Sequence, residues 1–188
     1  MPSKLSRFTS RTPDGWLLEH AQGSNADGAP WLDGVVVGAG AHGPLRLCYT
    51  VECHPSFSVR RATIRIQYRD AASERVLTAD GFGHWFDRGV PVSALTGSLD
   101  LVFWCTPSTL AFPLRRLNLP FGGQRECPVA ALPGPEDPPA IWHFRFTHRS
   151  GDRAGHRFDV INLTRDEAIE IMVDHDGWVS AAGDFTRA

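Results

Sequence analysis

From Leu45 to Tyr68 the side chains alternate. Leu45, Leu47, Tyr49 and Val51 oppose Arg46, Cys48, Thr50 and Glu52, and Ala62, Ile64, Ile66 and Tyr68 repeat the pattern against Arg61, Thr63, Arg65 and Gln67. A period of two marks a strand with one face in a core, whereas a helix returns its apolar positions every three to four residues. The two runs predict an antiparallel pair joined across Cys53–Ser56, where Pro55 breaks the ladder. A sheet that begins this way needs its edges paired or covered, so the rest of the chain should supply further strands.

It does so in short pieces. Val76–Ala79 and His84–Phe86 flank Asp80-Gly81, and Ile169–Val173 and Trp178–Ser180 flank Asp176-Gly177. Both read as hairpins, because a tight turn between strands needs residues that accept positive φ. Asp33–Gly38, Leu110–Leu119, Ile141–His148 and Phe158–Leu163 also read as strands, while Leu99–Thr106 is apolar on both faces except for Asp100, which implies cover on both sides. Thr164–Glu167 reads as a helix-start or turn. With 18 Gly and 14 Pro in 188 residues, turns are plentiful. About nine short strands predict an all-β fold, a curled antiparallel meander forming a barrel or half-barrel with an apolar interior and at most one or two short helices. A hydrophobic fraction of 42% is enough for one core, so residues 1–188 are expected to form a single domain, with 1–12 poorly ordered and the proline-rich stretch 127–140 a long loop.

Nineteen basic against 21 acidic residues give a net charge of -2, which argues against a nucleic-acid partner. No apolar run approaches the roughly 20 residues of a transmembrane helix, and Met1–Arg11 lacks the apolar stretch of a secretory signal. A cytoplasmic protein is expected, with Cys48, Cys53, Cys105 and Cys127 as free thiols.

Gly38-Ala39-Gly40-Ala41-His42-Gly43 spells a dinucleotide-binding turn, but Pro44 and an alternating strand follow where a helix N-terminus would have to hold the pyrophosphate. It reads as a glycine-rich hairpin loop. Neither the histidines nor the cysteines have metal-ligand spacing, no GxSxG elbow occurs, and no metal, cofactor or catalytic residue is assigned. The pairs Asp80 with Asp87 and Asp100 with Glu126 could serve as acid and base only if folding brought them to one site.

Leu95–Leu119 (LTGSLDLVFWCTPSTLAFPLRRLNL) sets Asp100, Thr106, Thr109, Arg115 and Arg116 among apolar residues, the makeup of an apolar cavity with a few fixed polar groups. The run L-x-G-x-x-D-L-x-x-x-x-T-P-x-T-x-x-x-P-L-R-R-L resembles the central segment of the bacterial putative glycolipid-binding family. Further pieces fit in order: Leu18-Glu19-His20, Tyr49 and Val51 leading to Ser58-Val59-Arg60, Asp80-Gly81-x-Gly-x-Trp85-x-Asp87, and Val173-Asp174-x-Asp-Gly177-x-Val179 before Arg187.

The resemblance implies a curled antiparallel β fold with a hydrophobic interior, likened to lipoprotein and glycolipid carriers, and no known reaction. The chain departs from the family at Ser98, which stands for a Cys, at Leu101-Val102, where a second Asp is lost, and at Ser108–Phe112, which replaces a more polar segment. If these positions line the pocket, its cavity is more apolar than in its relatives.

The resulting expectation is non-catalytic binding of a lipid, glycolipid or other amphipathic small molecule. The tail lies among Phe103, Leu110 and Phe112, and the head lies near Arg60, Asp87, Asp100, Arg115 and Arg116, with Trp85, Thr106 and Thr109 completing the site. Two alternatives stand beside it: a hydrolase or isomerase using inward carboxylates and His84, and a structural or interaction module. Oligomeric state stays open. On a strand, Arg116 would share a face with Leu110, Phe112 and Leu114, and Arg115 with Leu117 and Leu119. Unless Pro113 resets the register, one arginine should then point inward and meet Asp100, another acid or an anionic head group.

Overall fold

The computed structural model describes residues 4–12, 15–25, 28–40, 43–183 and 186–187. Eight strands follow one another in the first half: β1 (Lys4–Thr12), β2 (Gly15–Ser24), β3 (Trp31–Gly40), β4 (Gly43–Cys53), β5 (Val59–Tyr68), β6 (Ala71–Ala79), β7 (Trp85–Asp87) and β8 (Val90–Pro91). Each pairs antiparallel with the next, and β15 (Thr186–Arg187) returns to pair with β1, giving a nine-stranded sheet in the order β15-β1-β2-β3-β4-β5-β6-β7-β8. The second sheet has six strands: β9 (Leu101–Phe103), β10 (Gln124–Leu132), β11 (Ala140–Asp152), β12 (Gly155–Asn162), β13 (Glu167–Val173) and β14 (Val179–Ala182), ordered β14-β13-β12-β11-β10-β9. The result is the expected all-β class: an antiparallel sheet facing a curled half-barrel.

Alternation places the core as the sequence implies. Leu47, Tyr49, Val51 and Cys53 of β4 and Ala62, Ile64 and Ile66 of β5 are buried, and they join Val129 to Leu132 of β10, Phe144 and Phe146 of β11 and Val160 of β12 in one apolar cluster drawn from both sheets. The GxGxxG segment lies where β3 and β4 meet, with Gly40 opposite Gly43, while Ala41 and His42 lie outside the described residues. Asp80-Gly81 sits in a connection wider than a two-residue turn, since Ala79 faces Trp85 across β6 and β7. Asp80 Oδ1 accepts from the backbone N–H groups of Phe82 and His84, and Gly81 takes φ of 80°. Asp176-Gly177 closes the β13–β14 hairpin.

Four expectations change. Lys4–Thr12, expected to be poorly ordered, is β1, with its backbone laddered to β2 over its whole length. Much of the expected 127–140 loop is strand β10. Its Pro128 faces His143 of β11, while β9 covers the other side of β10 only from Ala130 onward, so the missing N–H breaks no bond to β9. Leu99–Thr106 narrows to the three buried residues of β9, which runs parallel to β10. That direction requires a long crossover, which the chain supplies between Trp104 and Gly123.

The crossover contains the fourth change. Ser108–Leu110 forms a 3₁₀ turn and Ala111–Leu117 the helix α1, not a strand. Leu110, Leu114 and Leu117 have helical spacing, and Pro113 stands in the first turn, where an absent N–H leaves no bond unmade. Asn118, left-handed at φ 41°, ends the helix by donating its N–H to the Leu114 carbonyl.

Candidate functional site

Glu19 of β2 points into the space between the sheets and is 2% exposed. No arginine among the described residues is paired with it. Tyr49 Oη of β4 and Thr106 Oγ1 each donate to its Oε1 at 2.5 Å, and Ser108 Oγ donates to its Oε2 at 2.7 Å. Burial pushes the Glu19 carboxyl above its usual range, and the three hydroxyl bonds oppose that shift. The Tyr49 hydroxyl is likewise pushed well up, first by burial and then by the neighbouring Glu19, so it remains the donor.

The reach from β4 to β2 depends on Gly34 of β3. Gly34 lies directly opposite Tyr49, and a Cβ there would come within 2.3 Å of the tyrosine ring. The bare backbone lets the ring cross β3 and deliver its hydroxyl to Glu19. Phe103 packs on the same ring with centroids 5.0 Å apart.

Thr106 connects this cluster to a cavity of about 670 Å³, a size typical of small-molecule sites. Phe103, Leu110, Trp142, Phe144 and Val160 form much of its apolar wall, and Thr106 and Asn162 contribute polar groups. Arg165, Glu167 and Glu170 line the cavity while remaining exposed. The Arg165 guanidinium lies 5.3 Å from the Trp142 ring centre. Asn162 Oδ1 accepts from the N–H groups of Thr164 and Arg165, which holds the β12–β13 turn at the cavity. Thr164–Glu167 is therefore the turn alternative.

Of the residues singled out from the sequence, Phe103, Thr106 and Leu110 line this cavity. The others lie elsewhere. Arg60 is exposed and paired with Glu52 at 2.6 Å, and Asp87 is bound by Arg75 at 3.2 Å. Trp85 is buried, with Nε1 donating to the Ser98 carbonyl at 2.9 Å. Phe112 is buried edge-on to Trp178, and Thr109 is fully buried with no partner for its hydroxyl among the described residues.

The arginines separate as a helix requires. Arg116 grips Asp100 through Nε and Nη2, the shortest contact being 2.6 Å, which is the acid expected of the inward arginine. Burial pushes the Asp100 carboxyl up while Arg116 pulls it down. Arg115 lies over the Phe57 ring at 4.3 Å and the Trp178 ring at 5.2 Å. Parity assumed a strand that is not there, and it is the helix α1 that turns Arg116 toward Asp100.

Neither candidate carboxylate pair converges on the cavity: Glu126 is exposed and bound to Arg145, and His84 Nδ1 sits 2.6 Å from Asp80. Glu19, Tyr49 and Ser108 were missed as site residues. The sequence carries no clear signal, because Leu17-Leu18-Glu19-His20-Ala21 does not alternate in polarity, and only the structure puts Glu19 on the buried face of β2. All four cysteines are free, and among the described residues no group of three or more His, Cys, Asp or Glu is placed to hold a metal ion. No described helix is long and apolar enough to cross a membrane.

A crystal structure at 1.80 Å resolution of a DUF1089 family protein from Pseudomonas aeruginosa is similar to the whole chain: 25% identity, TM-score 0.69, covering 100% of this chain and 94% of that one. Among curated proteins none matches the sequence. The family whose model is described as "Putative glycolipid-binding" matches residues 9–188, and the chain belongs to that family.

Proposed function

We propose that the protein binds an amphipathic small molecule, a glycolipid or a molecule of similar build, with its apolar part in the cavity and its polar part at the exposed rim. The observation that carries this reading is the cavity's composition: aromatic and aliphatic walls from Phe103, Leu110, Trp142 and Phe144, beside an exposed polar margin of Arg165, Glu167 and Glu170. A hydrocarbon tail gains roughly 0.8 kcal/mol per methylene it buries in such walls. Sugar hydroxyls both donate and accept, which suits a margin holding carboxylates and a guanidinium. Thr106 and Phe103 contact the ligand in this reading, whereas Asp100, Arg116, Trp85 and Phe112 hold the frame behind it. The description of the family supports the ligand class, and the free thiols suit a reducing compartment such as the cytoplasm.

Calorimetric titration with octyl glucoside, with octanoate and with glucose tests this. Octyl glucoside should give saturable heat and glucose none. Ala168→Trp, placed at an exposed position of the cavity lining, should weaken binding about tenfold. No saturable heat from octyl glucoside with folded protein, or an unchanged affinity in Ala168→Trp, would overturn the reading.

A further inference from the structure

Leu17 lines the cavity from the inner face of β2, so its neighbours Trp16 and Leu18 point the other way, out of the nine-stranded sheet. They are 49% and 40% exposed. Register extends this apolar outer face across two more strands, since Trp16 pairs with Ala39 and then Pro44, Leu18 with Val37, and His20 with Val35. No described element covers these side chains. A monomer that leaves a tryptophan, a leucine and two valines side by side on an outer sheet face has a surface suited to a partner.

The margin of this patch is cationic. Arg46 follows Val37 in the Leu18 row, and Arg7 of β1 flanks His20. No ion pair among the described residues holds Arg7 or Arg46. Of the acids on the same face, Glu74 is neutralised by Arg65 of β5 at 2.7 Å, and Asp33, which accepts from the Thr50 hydroxyl at 2.8 Å, keeps its charge. A second copy pairing through a two-fold axis would have to find counter-charges for Arg7 and Arg46 on this same patch, where Asp33 is the carboxylate left to offer. An anionic lipid surface supplies them everywhere, accepts an indole at the headgroup level, and lets arginine stems lie along its apolar boundary.

We infer that the outer face of β2–β4 docks onto an anionic membrane, with Trp16 and Leu18 inserted at the interface and Arg7 and Arg46 on lipid phosphates. The docking stands on this surface alone, and its purpose, passing an amphiphile between bilayer and cavity, rests on the function proposed above. Trp16 and Leu18 enter the lipid on one side of β2, while Leu17 between them faces the cavity on the other.

The test is co-sedimentation of the full chain with vesicles of phosphatidylcholine, with and without an equal part of phosphatidylglycerol. The protein should partition onto the anionic vesicles and not onto pure phosphatidylcholine. The double variant Trp16→Ser/Leu18→Ser should lose roughly tenfold in partitioning. Arg46→Gln, a surface change, should lose about fivefold on anionic vesicles. Octyl glucoside titration of the double variant separates the two readings, because it probes the cavity without a membrane. Retained octyl glucoside binding with lost vesicle binding supports both, and vesicle binding without octyl glucoside binding leaves docking standing while the cavity reading falls. Failure of the wild type to partition, or equal partitioning of the folded variants, would overturn docking. So would a wild-type dimer in light scattering that the double variant dissociates, since the patch would then belong to a second copy.

Discussion

Glu19 is an acid buried without a cation partner among the described residues, which is costly unless hydrogen bonds replace the lost water. Tyr49, Thr106 and Ser108 supply three, tying β2, β4 and the segment after β9 together across the two sheets. The carboxyl still titrates above its usual value of 4.5. In the unfolded chain it titrates near that usual value, so between the two the native state keeps a proton that the unfolded state has released. The stability contributed by this group is therefore complete below about 4.5 and is lost as pH rises through the folded value. Over that window the wild type should lose stability relative to Glu19→Gln, which cannot titrate. Urea unfolding of both proteins at stepped pH checks this, and a pH-independent difference between them would refute it. Neither the burial of Glu19 nor its partners could be read from the sequence, because Leu17 and Leu18 on opposite faces are both apolar and Thr106 and Ser108 lie 87 and 89 residues away.

At the scale of elements, Gly34 is the position on which that site depends. An added Cβ would meet the Tyr49 ring at 2.3 Å, and a ring packed on Phe103 and hydrogen-bonded to Glu19 has little room to move aside. Gly34→Ala should cost about 1–3 kcal/mol, the range for an overpacked core. In a Tyr49→Leu background the same change should cost much less, because the colliding ring is gone. Equal costs in the two backgrounds, measured by denaturant titration, would mean that Gly34 serves some other contact. Strands β4 and β5 were legible because each alternates one wet and one dry face, whereas β2, whose sequence does not alternate in polarity, was not read as a strand. β10 and α1 were not legible either: proline tolerated at a sheet edge looks like a loop, and a helix of seven residues carries too few turns for its period to stand out.

For the whole molecule, one apolar cluster drawing on both sheets argues that the chain unfolds as a unit. We expect a single calorimetric transition with matching calorimetric and van't Hoff enthalpies, and two separable transitions would divide the chain into domains. By itself the sequence determined the all-β class, the places of many of the strands from β3 onward and, through the Leu95–Leu117 motif and its companions, the family. Those properties depend on neighbours along the chain: alternation sets which face is dry, and Gly and Pro set where the chain turns. Tertiary structure decided which polar residues share a site. Parity pointed one of Arg115 and Arg116 inward, toward Asp100, another acid or a ligand head, without saying which, and packing brought Arg116 to Asp100, while it placed Glu19, which belonged to no expected site, behind the wall of the cavity. Burial and distance are properties of the two sheets facing one another, and no local pattern encodes how far apart two strands of different sheets will lie.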